Sequence, residues 1–293
     1  MSVDSAKIVC IGDVHGHLDK LQSLWSNLQT ALTEDGLHST TVVFLGDYCD
    51  KGPDTKGVID FLINLKQSRR PESTIFITGN HDFGMAAYIG CLPADNIPFD
   101  LDITRNHKFK KGFYTPEVEG GMHYMGRRWG GSTSHKSRTT FESYGVKFGY
   151  NSSNRDEFIN AVPQEHKDFL RNLPWMYETY IPKCSPSNII CTHAGLGSVN
   201  VQNQLRAMRN RDILADSIRI NPEYADRLYF MNGRREVLLT PKELNNKTLL
   251  ISGHHGRVNI TKNRIIMDNN AGKANRAIHA IVLPSRIMIS SNN

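Results

Sequence analysis

Cysteine is scarce. The 293 residues hold five, an odd number with no closely spaced pair. That argues against a disulfide-stapled scaffold and for a reducing compartment, cytoplasmic or nuclear. Long apolar runs are also missing. Nothing approaches the roughly 20 residues that a membrane helix needs, so no membrane partner is expected. Met1 to Lys7 carry no apolar signal core, and Ser2 stands where myristoylation requires glycine. The sequon Asn151-Ser152-Ser153 therefore carries no weight. No internal repeat, low-complexity tract or Pro/Gly/Ser linker divides the chain, so one domain over residues 1–293 is expected. Charge of one sign is not in large excess. Lys and Arg number 35 against 29 Asp and Glu, a surplus of +6. That surplus suits anionic partners but does not mark a nucleic-acid binder. Hydrophobic residues at 39% and charged residues at 22% are globular values and exclude a disordered or coiled-coil chain.

What is present is an alternation of short β-branched runs and amphipathic stretches. Ile8 to Ile11 reads as a buried strand ending at Gly12-Asp13. Leu18, Leu21, Trp25, Leu28 and Leu32 follow at helical spacing. A second strand, Thr41 to Leu45, ends at Gly46-Asp47, and a helix with Val58, Phe61, Leu62 and Leu65 comes next. A third strand, Thr74 to Thr78, ends at Gly79-Asn80. This βαβαβ opening predicts an α/β chain with a parallel or mixed sheet under helices. From about Gly84 to Pro174 the strand pattern is lost, which predicts helices and loops inserted across one end of the sheet. Strands return at Asn188 to Thr192 before His193, and at Leu249 to Ser252 before Gly253-His254. Three more close the chain: Arg264 to Met267, Ala277 to Leu283, and Arg286 to Ile289.

Five strand ends thus carry metal- or phosphate-binding residues: Asp13, Asp47, Asn80, His193 and His254. A strand holds its carboxyl-end residues rigidly, and glycine before them permits a sharp turn. Turn chemistry explains one Asp or Asn at a strand end but not five in succession. His15 lies two residues past Asp13, within reach of the same ion. Mixed Asp, Asn and His donors suit Mn, Fe or Zn rather than Ca or Mg. Six donors exceed one open site and fit two ions about 3.5–4 Å apart that share a carboxylate.

The blocks Gly12-Asp13-Val14-His15-Gly16, Gly46-Asp47-Tyr48-Cys49-Asp50-Lys51-Gly52 and Gly79-Asn80-His81-Asp82 resemble the signature of the phosphoprotein phosphatase family of metallophosphoesterases. His193-Ala194-Gly195 and Gly253-His254 resemble its fourth and fifth blocks. The segment Arg127-Arg128-Trp129, with Phe141-Glu142-Ser143-Tyr144-Gly145, is most similar to the Rhizobiales-like phosphatase branch. The resemblance implies a calcineurin-like fold, a central β-sandwich flanked by helices. It implies that Asp13, His15 and Asp47 hold one divalent metal, that Asp47, Asn80, His193 and His254 hold a second, and that Asp47 bridges them. It implies His81 as general acid oriented by Asp50, and one-step hydrolysis by a hydroxide bridging the metals. The branch implies phosphorylated protein substrates, with phosphotyrosine or doubly phosphorylated Thr-x-Tyr preferred.

Lys51 stands where the family has arginine, giving a point charge without a bidentate fork. Asp82 replaces the glutamate of Ser/Thr-specific members. Arg127, Arg128 and Arg234 are further candidates for binding phosphate, beside Lys51 and Asn80. Spacing alone does not separate His254 from its neighbour His255. His17 reads as a helix-start residue and Cys49 as a small buried hydrophobe. Two other readings stay open: a diadenosine tetraphosphate hydrolase on the same blocks, and a non-catalytic binding protein, which would predict lost ligands. A cysteine-dependent tyrosine phosphatase is excluded, because none of the five cysteines has arginine six positions later.

Overall fold

The computed structural model describes residues 8–91, 129, 135–149, 152–212, 215–221, 224–244 and 246–292. The strand β1 (Ile8–Ile11) leads to α1 (Leu18–Leu32), α2 (Glu34–Ser39), β2 (Thr41–Phe44), α3 (Thr55–Ser68), β3 (Thr74–Phe76) and α4 (Asn80–Tyr88). The middle of the chain holds α5 (Arg138–Ser143), α6 (Ser152–Ala161) and α7 (Gln164–Arg171). Then come β4 (Met176–Tyr180), β5 (Asn188–Thr192), α8 (Val201–Asn210), β6 (Arg219–Asn221), β7 (Tyr224–Leu228) and α9 (Tyr229–Asn232). The chain closes with β8 (Thr248–Ser252), β9 (Val258–Ile260), β10 (Arg264–Met267), β11 (His279–Leu283) and β12 (Ile287–Ser290).

Two five-stranded mixed sheets form, in the orders β12-β11-β1-β2-β3 and β4-β5-β8-β10-β9, beside a β6-β7 hairpin. In the first sheet β1, β2 and β3 run parallel, in register Val9↔Val42 and Val43↔Ile75. In the second, β5, β8 and β10 run parallel, in register Ile189↔Leu249 and Ile265↔Ile251. Alternation along β1 explains the packing. Ile8 and Cys10 join Ile189, Cys191, Leu249 and Ile251 between the sheets. Val9 and Ile11 face the other way, under Leu21, Leu24 and Leu28 of α1 and Val58 and Leu62 of α3. Strands covered on both faces must be apolar throughout, which is why β1 reads as an unbroken run. Cys10 and Cys191 meet across the sandwich with sulfurs 3.9 Å apart.

The βαβαβ opening and the five strands ahead of the candidate ligands form as the sequence predicts, with ends shifted by up to two residues. α4 begins at Asn80 and runs through Gly84 without a break. Gly84 faces Trp129, and a Cβ there would press on the indole. Among the described residues of 84–174 there are helices and no strand. The sequence reading missed α2, β4, α8, the β6-β7 hairpin, α9 and β9. Among the described residues no helix is long and apolar enough to cross a membrane.

Candidate metal centre and phosphate site

The carboxyl ends of β1, β2, β3, β5 and β8 converge at one edge of the sandwich. Asp13, His15, Asp47, Asn80, His81, His193 and His254 meet there, each buried. The four glycines before them, Gly12, Gly46, Gly79 and Gly253, leave no room for a side chain. A Cβ at Gly79 would run into the Asp47 carboxylate, and one at Gly253 into that of Asp13. The turns are tight enough to force non-glycine residues into left-handed backbone: His15 (φ 52°), Asp47 (57°), Asp50 (71°), Lys51 (66°) and His254 (70°). Such conformations cost about 1–3 kcal/mol each and collect where a side chain must be aimed.

Asp47 lies at the centre. Its Oδ2 is 3.5 Å from His15 Nε2 and 3.9 Å from His81 Nε2, and its Oδ1 is 3.3 Å from His193 Nε2. His193 Nε2 is also 3.3 Å from Asn80 Oδ1 and 3.2 Å from His254 Nδ1. Asp13 Oδ2 is 3.7 Å from His15 Nε2. Two donor clusters result, His15-Asp47-His81 and Asp47-His193-His254, and Asp47 belongs to both.

The second nitrogens show why these histidines suit a cation. His15 Nδ1 donates to Cys49 O at 3.0 Å and His193 Nδ1 to Leu45 O at 2.7 Å. Each ring is thereby oriented with its Nε2 turned into the cluster, as metal ligands require. Donor separations of 3.2–3.3 Å around His193 match the edge of a tetrahedron with metal–nitrogen bonds of about 2.0–2.1 Å. His254 Nε2 is buried without a hydrogen-bond partner among the described residues. Burial is the largest influence on the ionisation of the set. Burial holds His15 down at about 3, with Lys51 adding to the effect. Burial, then His193 and Arg234, lowers His254. Burial and the nearby Asp268 raise Asp13. Burial also acts on Asp47, but His193 and His81 outweigh it and hold the carboxyl well below its ordinary range. Asp47 in turn lifts His193 to about 9 against its burial.

Beside the cluster, His81 Nδ1 and Asp50 Oδ2 are 2.7 Å apart. Asp50 is held by donors from the middle of the chain, Trp129 Nε1 at 2.8 Å and Thr140 Oγ1 at 2.6 Å. Burial raises Asp50 while these two bonds oppose the shift. A cavity of about 180 Å³ opens onto the cluster, lined by Asp13, Asp47, Lys51, Asn80, His81, His135, Lys136, Arg234 and His254. Lys51 Nζ reaches His15 Nε2 at 2.7 Å, and Arg234 Nη1 donates to His254 O at 3.0 Å.

The structure therefore brings together Asp13, His15, Asp47, Asp50, Lys51, Asn80, His81, His193, His254 and Arg234. Arg127 and Arg128 lie outside the described residues. His255 turns away, its Nε2 bonded to Ala194 O at 2.7 Å. His17 precedes α1 without capping it through its side chain. Cys49 is buried, with its thiol 3.5 Å from Met85 Sδ, and burial, then Asp82, raises its pKa. Sequence reasoning missed Trp129 and Thr140 as partners of Asp50, and His135 as cavity wall. His135 packs edge-on against His81 with ring centroids 4.7 Å apart. Asp268 was findable. It directly follows β10, and its carboxylate accepts from Gly256 N and, at 2.7 Å, from Asn270 N.

The chain also matches known proteins. The bis(5'-nucleosyl)-tetraphosphatase PrpE [asymmetrical] of Oceanobacillus iheyensis is 36% identical over 78 residues, 26% of this chain and 30% of that protein. The zinc-dependent endopolyphosphatase of Saccharomyces cerevisiae is 33% identical over 82 residues, 28% of this chain and 22% of that protein. The chain thus spans less than a third of either curated relative in these matches. The cold-active protein-tyrosine phosphatase of a psychrophilic Shewanella sp. superposes with a TM-score of 0.47 at 15% identity, covering 97% of this chain and 80% of that one. The calcineurin-like phosphoesterase family matches residues 6–258, and the chain belongs to that family of metal-dependent phosphoesterases.

Proposed function

We propose that the chain is a metal-dependent phosphatase that hydrolyses phosphomonoesters on proteins. The observation that carries this reading is a carboxylate, Asp47, shared by two buried donor clusters, with the His81–Asp50 pair aimed at the same place. Asp13, His15 and Asp47 would hold one divalent ion, and Asp47, Asn80, His193 and His254 the other. When bound, such an ion pair supplies a nucleophilic oxygen at neutral pH and offsets the charge of the phosphoryl group.

The chain's own residues do the rest. Lys51, Arg234 and Asn80 bind phosphoryl oxygens at the cavity wall. His81 Nε2 donates a proton to the leaving oxygen, and the bond from Nδ1 to Asp50 fixes the ring for that transfer. Trp129 and Thr140 hold Asp50 so that the pair keeps its orientation. Phosphotyrosine, or phosphotyrosine within a doubly phosphorylated Thr-x-Tyr motif, is the preferred substrate. Support comes from the Rhizobiales-like segment around Arg127-Arg128-Trp129.

The match to a bis(5'-nucleosyl)-tetraphosphatase favours a second reading, hydrolysis of diadenosine tetraphosphate. One assay separates the two. Peptides carrying pSer, pThr, pTyr and pThr-x-pTyr are compared with the dinucleotide at saturating manganese. A kcat/KM for pTyr peptides above all others supports the first reading, and turnover of the dinucleotide alone replaces it with the second.

A further inference from the structure

Asp82 is fully buried and takes no part in the proposed chemistry. It lines no wall of the cavity, yet it collects more backbone donors than a helix start requires. Its Oδ2 accepts from Asp47 N at 2.7 Å and Gly79 N at 2.9 Å. Its Oδ1 accepts from Tyr48 N at 2.8 Å and Cys49 N at 3.2 Å. The bond to Gly79 caps α4, as an acidic residue in the first helical turn commonly does. The other three have no such explanation. They gather successive amides of the turn after β2, the turn that carries Asp47 in left-handed backbone.

The opposite side of that turn is pinned too. Asp47 O accepts from Val14 N and His15 N at 3.1 and 2.8 Å, and Tyr48 O accepts from Gly16 N at 2.8 Å. The turn is thus held by the β1 loop through its carbonyls and by Asp82 through its amides. His81 N donates to Asp47 Oδ1 at 3.0 Å, so α4 grips the Asp47 side chain as well.

We infer that Asp82 is a positioning residue for the shared carboxylate: it fixes the Asp47 turn so that both Asp47 oxygens face their donor clusters, and its influence on cation binding runs through Asp47. The inference rests on the reading of Asp47 as a bridge between two cations. Only a carboxylate offers acceptors for all four amides. An amide in its place turns an NH2 group toward N–H donors, and the turn must shift to relieve the clash. Because Asp47 serves both clusters, that shift weakens both cation sites together.

The test measures manganese binding by titration calorimetry on the full chain, with melting in EDTA as a folding control. Wild type is compared with Asp47→Asn, Asp82→Asn and the double variant. Loss of a partner behind a metal ligand typically costs 10–100-fold in affinity. Asp82→Asn is expected to show about that loss at both sites in parallel. Added to Asp47→Asn it is expected to cost nothing more, since interacting residues give non-additive cycles. Unchanged manganese affinity in Asp82→Asn overturns the inference, as does a loss that adds in full to that of Asp47→Asn. Should Asp82→Asn fail to melt cooperatively, Asp82→Glu keeps the charge but displaces it. A smaller, parallel loss at both sites then supports the inference, and loss at a single site overturns it. If Asp47→Asn itself binds two manganese ions like wild type, the bridging reading fails first, independently of Asp82.

Discussion

The two sheets bring different chemistry to one site. The first sheet, through the ends of β1, β2 and β3, supplies Asp13, Asp47 and Asn80 with His15 and His81 close behind. The second, through β5 and β8, supplies only the imidazoles of His193 and His254. The first sheet therefore carries the negative charge that attracts a cation, and the second carries nitrogen donors that define geometry. The division also runs through their support. His193 is anchored across the sandwich on Leu45 O, so its aim depends on the first sheet staying in place. Asp47 is anchored on its own side of the sandwich, by Asp82 and by the β1 loop.

That contrast breaks most readily at Asp47. Asp47→Asn is expected to weaken binding of both cations and to lower turnover of an aryl phosphate, each by at least about 100-fold, more than the loss of a partner behind a ligand. Metal content after gel filtration, read beside the initial rate, checks it. Two ions retained at full occupancy would show that the sheets bind independently.

His81 tests the first sheet alone. General acid help is worth roughly 10²–10⁴ in rate, and a phenol of pKa about 10 needs it less than an aliphatic alcohol. His81→Asn is expected to slow phosphothreonine peptides most, phosphotyrosine peptides less and an activated aryl phosphate least, with metal content unchanged. Equal slowing across the three substrates, measured under single turnover, would leave His81 as packing or as a ligand.

The second sheet answers to His193. His193→Ala is expected to reduce bound manganese from two ions toward one while melting in EDTA stays cooperative. The remaining ion belongs to the His15 side, and its affinity falls less than in Asp47→Asn. Calorimetric stoichiometry decides the outcome. The smallest effect belongs to the cavity wall. Lys51→Ala removes a charged contact worth about 1.5–3 kcal/mol. KM for a phosphopeptide is expected to rise about 10–100-fold with both ions kept, and a KM within twofold of wild type would remove Lys51 from phosphate binding.

The difference in burial between strands also explains what the sequence made legible. β1, β2, β5 and β8 are covered on both faces and read as unbroken apolar runs, each announcing the residue at its end. β4 is an edge strand. Only Met176 is buried in it, while Tyr177 and Thr179 are half-buried and Glu178 and Tyr180 exposed. Met-Tyr-Glu-Thr-Tyr therefore carries no apolar run. The β6-β7 hairpin is short and interrupted in register, which leaves no period to read.

The candidate site divides in the same way. Its candidate ligands stand at strand ends and could be read, whereas Trp129 and Thr140 reach Asp50 from 79 and 90 positions away. Nothing local marks a tryptophan or threonine as the partner of a distant carboxylate. Asp82 was visible only as a departure from a family pattern, because its four bonds are to backbone amides and carry no side-chain signature.

The left-handed turns have an evolutionary consequence. Glycine adopts that backbone freely, while every other residue bears a cost there. At positions 15, 47, 50, 51 and 254 the fold alone would accept glycine, so selection for stability and selection for chemistry pull in opposite directions. The apolar strands between the sheets feel no such conflict. A descendant copy released from its chemical task would lose its identity first at these turns and last in the sandwich.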